Sequence, residues 1–202
     1  MSSVIYYVHD PMCSWCWAFR KTWQEVLQNL PEEFEVRNLL GGLAVDSNEP
    51  MPLELQQTIS ATWHRIQKHV PGTQFNHDFW AQCQPRRSTY PPCRAVIAAR
   101  EQDKAAEDAM VLAIQQAYYL QAKNPSDDAV LIACAKNIGL DVRVFEKNLN
   151  SVSIDTQLHA DIKFARSIGA NSFPSVILER VGTFSKLDFD YNKSETLLKR
   201  LV

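Results

Sequence analysis

Cys13 and Cys16 are separated by Ser14 and Trp15, and the pair lies between a strand-like run, Val4-Ile5-Tyr6-Tyr7-Val8, and a helix-like run. Two cysteines at this spacing can close and reopen a disulfide, so the chemistry on offer is dithiol–disulfide exchange. A thiolate at a helix N-terminus is favoured by the free N–H groups of the first turn and by the helix dipole, which lowers a thiol pKa there. The second cysteine, one turn on, is within reach to resolve a mixed disulfide formed on the first. Cys16, Phe19, Trp23, Val26, Leu27 and Leu30 recur at intervals of three and four, which places them on one helical face. That phasing predicts Cys16 on the buried stripe and Cys13 at an exposed first turn, with Cys13 attacking and Cys16 resolving.

Two other uses of such a pair are a buried structural couple and half of a zinc site. Zinc needs two more ligands at suitable spacing. Cys83 and Cys93 have nine residues between them, and His64 and His69 are five apart on a helix where ligands prefer four. The spacing therefore argues against a metal, and none is expected. Cys134 sits among Val130, Leu131 and Ile138 and reads as core.

The surrounding elements must position the dithiol. Asp10-Pro11 ends the first strand, and Pro31 ends the helix that carries Cys16. Residues 34–40 read as a second strand closed by Gly41-Gly42. From 45 to 153 strand signals are sparse, and four or five main helical elements, with one short one besides, are expected. They include Leu53 to Val70, a short helix near Asp78, Ala95 to Gln102, Asp108 to Gln121, a helix capped by Ser126, and Asp141 to Leu149. Residues 74–92 otherwise read as irregular. Ser153 can cap a further helix that stops at Gly169. Phe173-Pro174, the strand Ser175-Val176-Ile177-Leu178, a turn at Gly182, a short strand near Phe184 and a helix from Ser194 complete the order.

The segments Asp10-Pro11-Met12-Cys13-Ser14-Trp15-Cys16-Trp17-Ala18-Phe19, Gly41-Gly42 and Gly169-Ala170-Asn171-Ser172-Phe173-Pro174-Ser175 make the chain resemble the thioredoxin superfamily. Within it, the chain looks like the DsbA-type oxidoreductases. The resemblance implies an α/β thioredoxin fold, residues 1–44 and 154–202, with an all-helical insertion at 45–153. It implies a cis-proline at Pro174, facing the dithiol, with Phe173 presenting its backbone to an extended substrate. In relatives that use glutathione or isomerise aromatic acids, the junction corresponding to Tyr90-Pro91-Pro92-Cys93-Arg94 faces the active site. Cys93 is on that ground an accessory thiol, with Arg94 or Arg87 supplying positive charge; a buried small hydrophobe is the alternative for Cys93. Related proteins often carry proline where this chain has Ser14. Serine restores an N–H and adds a hydroxyl near the Cys13 sulfur, and hydrogen bonds to a thiolate stabilise the reduced form.

Other side chains near the motif have two readings each. His9 lies four residues before Cys13 and could lower its pKa as an imidazolium, or could be a solvated loop histidine. Trp15 and Trp17 would give the dithiol an apolar lip, while Trp23 reads as core. Tyr118 and Tyr119 are adjacent, so only one is expected to face the core.

The bulk numbers exclude several function classes. With 46% hydrophobic residues over 202 positions, the chain can bury a full core. Its 21 basic and 23 acidic residues leave a net charge of -2, which points to no nucleic-acid partner. No apolar run approaches the ~20 residues of a membrane span. The N-terminal run has no basic n-region or apolar h-region, so a cytoplasmic location is expected unless the chain begins at a processed residue. Five cysteines, an odd number over this length, suit a redox pair with three spare thiols rather than a disulfide scaffold.

The expected function is thus a thiol–disulfide oxidoreductase with protein disulfide isomerase-like activity. Cys13 and Cys16 would be its catalytic, redox-active disulfide, and Ser14, Trp15, Phe173 and Pro174 would contact substrate. Partners would be protein or small-molecule thiols and disulfides. No cofactor is required, with glutathione a possible co-substrate. The alternatives are a glutathione-dependent transferase or isomerase of the kappa-class-like group, and a non-catalytic binding module that uses the insertion as a partner surface.

Overall fold

A computed structural model describes residues 3–201; Met1, Ser2 and Val202, the ends of the expected outer domain, lie outside them. Four strands form one sheet: β1 (Ser3–His9), β2 (Phe34–Leu40), β3 (Ser175–Arg180) and β4 (Thr183–Leu187), in the order β2-β1-β3-β4. β1 pairs with β2 in parallel, Ser3 opposite Phe34 through His9 opposite Leu40, and with β3 antiparallel, Val4 opposite Glu179 through Val8 opposite Ser175. A strand with two neighbours and two covered faces must be apolar throughout, and β1 is buried from Val4 to His9. The edge strand β4 leaves four of its five residues exposed, as an edge strand can.

Nine helices occur among the described residues: α1 (Ser14–Gln28), α2 (Leu53–His69), α3 (Phe79–Gln82), α4 (Tyr90–Gln102), α5 (Ala106–Tyr119), α6 (Asp128–Asn137), α7 (Val142–Leu149), α8 (Val152–Ser167) and α9 (Ser194–Leu198). One sheet face, Ile5, Tyr7, Val176 and Leu178, packs on Phe19, Trp23 and Val26 of α1 and Leu197 of α9. The other, Val4, Tyr6, Val8 and Ile177, packs on Ala165 and Ile168 at the end of α8. The earlier part of α8, Ile154, Leu158 and Ile162, instead joins the core of the helical block, around α4. A second cluster of the block, with Trp63, Phe79, Tyr118 and Tyr119, meets Met12 and Ala18 of the dithiol region. The cysteine pair therefore lies where sheet and helical block join.

The structure corrects several local expectations. Leu27 is 41% exposed, and Leu30 falls beyond α1, so the buried stripe of that helix ends at Val26. α4 starts at Tyr90 rather than Ala95, with Pro91 and Pro92 in its first turn, where a missing N–H leaves no helical bond unmade. Asp127, not Ser126, is the N-cap residue of α6, because the buried Ser126 hydroxyl is turned inward to donate to the Ser88 carbonyl at 2.7 Å. Ser151 rather than Ser153 caps α8, accepting from the Ile154 N–H. Tyr118 and Tyr119 are both buried: the end of α5 is enclosed from several directions, Tyr118 against Phe79 and Tyr119 against Trp17, with Trp63 touching both.

Gly42 lets the chain turn from β2 toward the helical block. Its φ is +59°, and a Cβ there would overlap Ile162 Cδ1 and stand 2.9 Å from Tyr90 Cε1. Gly42→Ala combines an unfavourable φ with overpacking, and its expected cost is about 2 kcal/mol. Urea unfolding should show this as a lower midpoint with an unchanged slope.

Candidate active site

β1 delivers the chain to Asp10, whose side chain is fully buried. Its carboxylate accepts hydrogen bonds from the Met12 N–H (2.8 Å), the Leu43 N–H (2.7 Å) and the Thr89 hydroxyl (2.6 Å), with the Cys93 Sγ 3.6 Å away. Burial pushes the Asp10 pKa up, and these donors pull it back. The Asp10 carbonyl accepts the Cys13 N–H at 3.0 Å, which tightens the loop before α1.

Cys13 is the N-cap residue of α1. Its side chain is only 7% exposed, so the expected exposed first turn is in fact covered. The sulfur is 3.5 Å from the Phe173 carbonyl oxygen, and the Phe173–Pro174 peptide bond is cis. Cys13 lines a cavity of about 220 Å³ with Ser14, Trp15 and Phe173. Ile59 of α2, Tyr118 of α5 and the loop residues Arg86 and Arg87 close it from the helical block.

Cys16 is 1% exposed. Burial, its hydrogen bond with Cys13 and the Cys13 charge push its pKa well above the usual thiol range. It lines a different cavity, of about 240 Å³, together with His9, Tyr7, Arg20 and Gln115. The two thiols thus differ sharply in surroundings although one helical turn separates them.

The remaining expected site residues divide. Ser14, Trp15 and Phe173 meet at the Cys13 cavity, with the buried Pro174 following Phe173. Arg94 is elsewhere: it pairs with Asp46 at 2.7 Å and Asp155 at 3.4 Å, because the phase of α4 turns it to the other side. Cys93 is fully buried against Asp10 and does not line the Cys13 cavity; burial and the Asp10 charge push its pKa well up. His9 fits neither reading made for it. It is a strand residue, 3% exposed and stacked on Tyr7 at 5.0 Å, and burial followed by the Arg20 cation pushes its pKa down to about 4. All five cysteines are free; Cys83 donates to the Ala122 carbonyl at 3.1 Å.

Asp10 is a site residue to which the sequence assigns no role beyond ending a strand and opening the cysteine motif. An acid set between an apolar strand and the cysteine motif was the available signal.

The sequence profile of the thioredoxin family matches residues 6–185. The chain belongs to the thioredoxin family. Its fold is the DsbA-like form, an α/β sheet with added helices. It superposes on a candidate protein disulfide isomerase from Nitrosomonas europaea with a TM-score of 0.86 at 24% identity, covering 100% of this chain and 96% of that one. The cytosolic disulfide reductase DsbM of Pseudomonas aeruginosa, also solved with glutathione, superposes with a TM-score of 0.75 at 23% identity, over 92% and 89% of the two chains. In sequence, the chain is 24% identical over 177 residues to the ClpXP adapter protein SpxH of Halalkalibacterium halodurans. That match takes in 86% of this chain and 57% of the relative, so the chain spans little more than half of that protein's length. No helix among the described residues is long and apolar enough to cross a membrane.

The burial of His9 has a pH signature. Its folded pKa, about 4, lies below the ordinary 6.5, so between those values the unfolded chain binds a proton that the folded chain refuses. The stability this residue supports is present above pH 6.5 and is lost as the pH falls toward 4. The contribution of His9 between pH 7.5 and pH 5 is about 2 kcal/mol. His9→Asn should lose correspondingly less stability over that interval, measured as paired urea titrations at the two pH values.

Proposed function

We propose that this chain is a thiol–disulfide oxidoreductase working through Cys13 and Cys16. The observation that carries the reading is the asymmetry of the pair: Cys13, 7% exposed, lines the cavity beside the Phe173 carbonyl, and Cys16, 1% exposed one turn on, lies outside that cavity and borders a separate one. The Cys13 thiolate attacks a substrate disulfide, one substrate thiolate leaves, and a mixed disulfide stands on Cys13. Cys16 then gives up its proton and attacks the Cys13 sulfur, expelling the second substrate thiolate and leaving a Cys13–Cys16 disulfide. The Cys13 charge is one cause of the raised Cys16 pKa. Forming the mixed disulfide removes that charge, so Cys16 ionises more readily at the step that needs it. Run in reverse, the same steps oxidise a dithiol.

Phe173, with Pro174 behind it, offers its backbone to an extended substrate, and Ser14 and Trp15 form the lip. The redox-active disulfide needs no metal or organic cofactor, and isomerisation of protein disulfides follows from the same exchange. Glutathione serves as a co-substrate in this reading, and the cytosol is the compartment. Both are supported by the likeness to DsbM, named as a cytosolic reductase and solved with glutathione. A glutathione transferase or isomerase has less support, since Cys93 and Arg94 stand outside the Cys13 cavity.

The relatives named ClpXP adapters favour a second reading, in which the chain is an adapter that binds a partner protein. The helical block would be the partner surface.

Scrambled ribonuclease separates the two. Cys13→Ser should lower the rate of disulfide exchange at least a hundredfold. Cys16→Ser should accumulate a mixed disulfide, seen as added mass that dithiothreitol removes. If both variants match the unaltered protein, the oxidoreductase reading fails; adapter activity would survive both substitutions.

A further inference from the structure

Arg87 stands on the wall of the Cys13 cavity with no anion opposite it. Arg86, its neighbour, is neutralised by Asp127 at 2.7 Å and donates to the Ser126 carbonyl at 2.5 Å. Arg20, Arg94 and Arg100 likewise hold carboxylates. Arg87 makes neither an ion pair nor a hydrogen bond among the described residues, and no aspartate or glutamate lines the cavity. The rest of the lining is largely apolar: Met12, Trp15, Leu43, Met51, Ile59 and Phe173. A half-buried guanidinium in such a setting has lost part of its water and gained no counter-charge in return.

Cavity size narrows the occupant. The cavity is small, about 220 Å³. That space admits one short thiol acid, or the end of an extended chain. A guanidinium presents a planar fork of donors that matches a carboxylate.

We infer that Arg87 is a carboxylate-binding subsite of the Cys13 cavity, and that the small thiols and disulfides taken there are anionic. The chemical half of this inference rests on the oxidoreductase reading. In it, the Cys13 thiolate attacks one sulfur of an acid disulfide, the S–S bond breaks, and a thiolate bearing its own carboxylate leaves. Arg87 touches only the carboxylate, so it sets which disulfide is favoured and leaves the electron balance untouched.

Two probes of similar length test this: 3,3′-dithiodipropionate, which carries carboxylates, and the neutral 2-hydroxyethyl disulfide. The rate of mixed-disulfide formation on Cys13 is measured in a Cys16→Ser background and divided by the rate of each probe with N-acetylcysteine amide. The normalised ratio should favour the acid. Arg87→Gln should collapse that ratio about tenfold, and Arg87→Lys should keep part of it. A ratio unaffected by Arg87→Gln overturns the inference. A second measurement needs no redox step: Cys13→Ser protein is titrated by NMR with 3-(methylthio)propanoate and with its alcohol analogue. If neither disulfide reacts but the acid binds in preference to the alcohol and Arg87→Gln abolishes that preference, the subsite stands and only the oxidoreductase reading falls. If acid and alcohol bind equally, or neither binds, while the disulfide rates also show no preference, the subsite is refuted.

Discussion

The buried carboxylate of Asp10 is the constraint on which the site depends. A carboxylate removed from water is costly unless donors surround it. Here the donors come from three segments: Met12 in the cysteine loop, Leu43 in the segment after β2, and Thr89 at the entrance to α4. Satisfying one side chain therefore brings together the end of β1, the exit from β2 and the start of the central helix of the block. Gly42 makes the approach possible by turning the chain where a side chain would strike Ile162. The Cys13 cavity is a consequence of this junction, since its floor belongs to α1 and its roof to α2, α5 and the loop before α4.

The junction also makes the two thiols unequal. Cys13 borders a cavity with a carbonyl oxygen on one side and an unopposed arginine on the wall. Cys16 borders a second cavity, in company with a histidine held neutral by burial. Burial first, and then its contact with Cys13, hold the proton on the Cys16 thiol.

A thioredoxin-like fold does not by itself name an activity, because one fold hosts catalysts and binding proteins alike. The structural likenesses here include a disulfide reductase, and the sequence relatives include adapters that are much longer than the matched region. What speaks for exchange chemistry is local: two free cysteines one turn apart, with a nearly covered but cavity-lining sulfur at the helix start.

Much of this protein could be read from its residues in order. The dithiol spacing, the strand–helix–strand opening, the helical middle and the strand after Pro174 all follow from patterns that act over a few residues: the 3.6 period of a helix, the apolar content of a covered strand, and turn chemistry. The same patterns placed Cys16 on the inner face of α1. They could not decide contacts between distant residues. Asp10 meets Leu43, Thr89 and Cys93 across separations of 33, 79 and 83 residues. Cys13 meets Phe173 across 160. The start of α6 shifted by one residue because Ser126 found a partner inside the fold rather than at the helix end. Two adjacent tyrosines were both buried because α5 ends amid packing on more than one side. Only the tertiary structure decided that Arg87, and not Arg94, lines the Cys13 cavity, because Arg94 is held by Asp46 and Asp155. The sequence by itself determined which reactive groups the chain carries and at what spacing; the packing of the helical block on the sheet decided which charges and which cavity surround them.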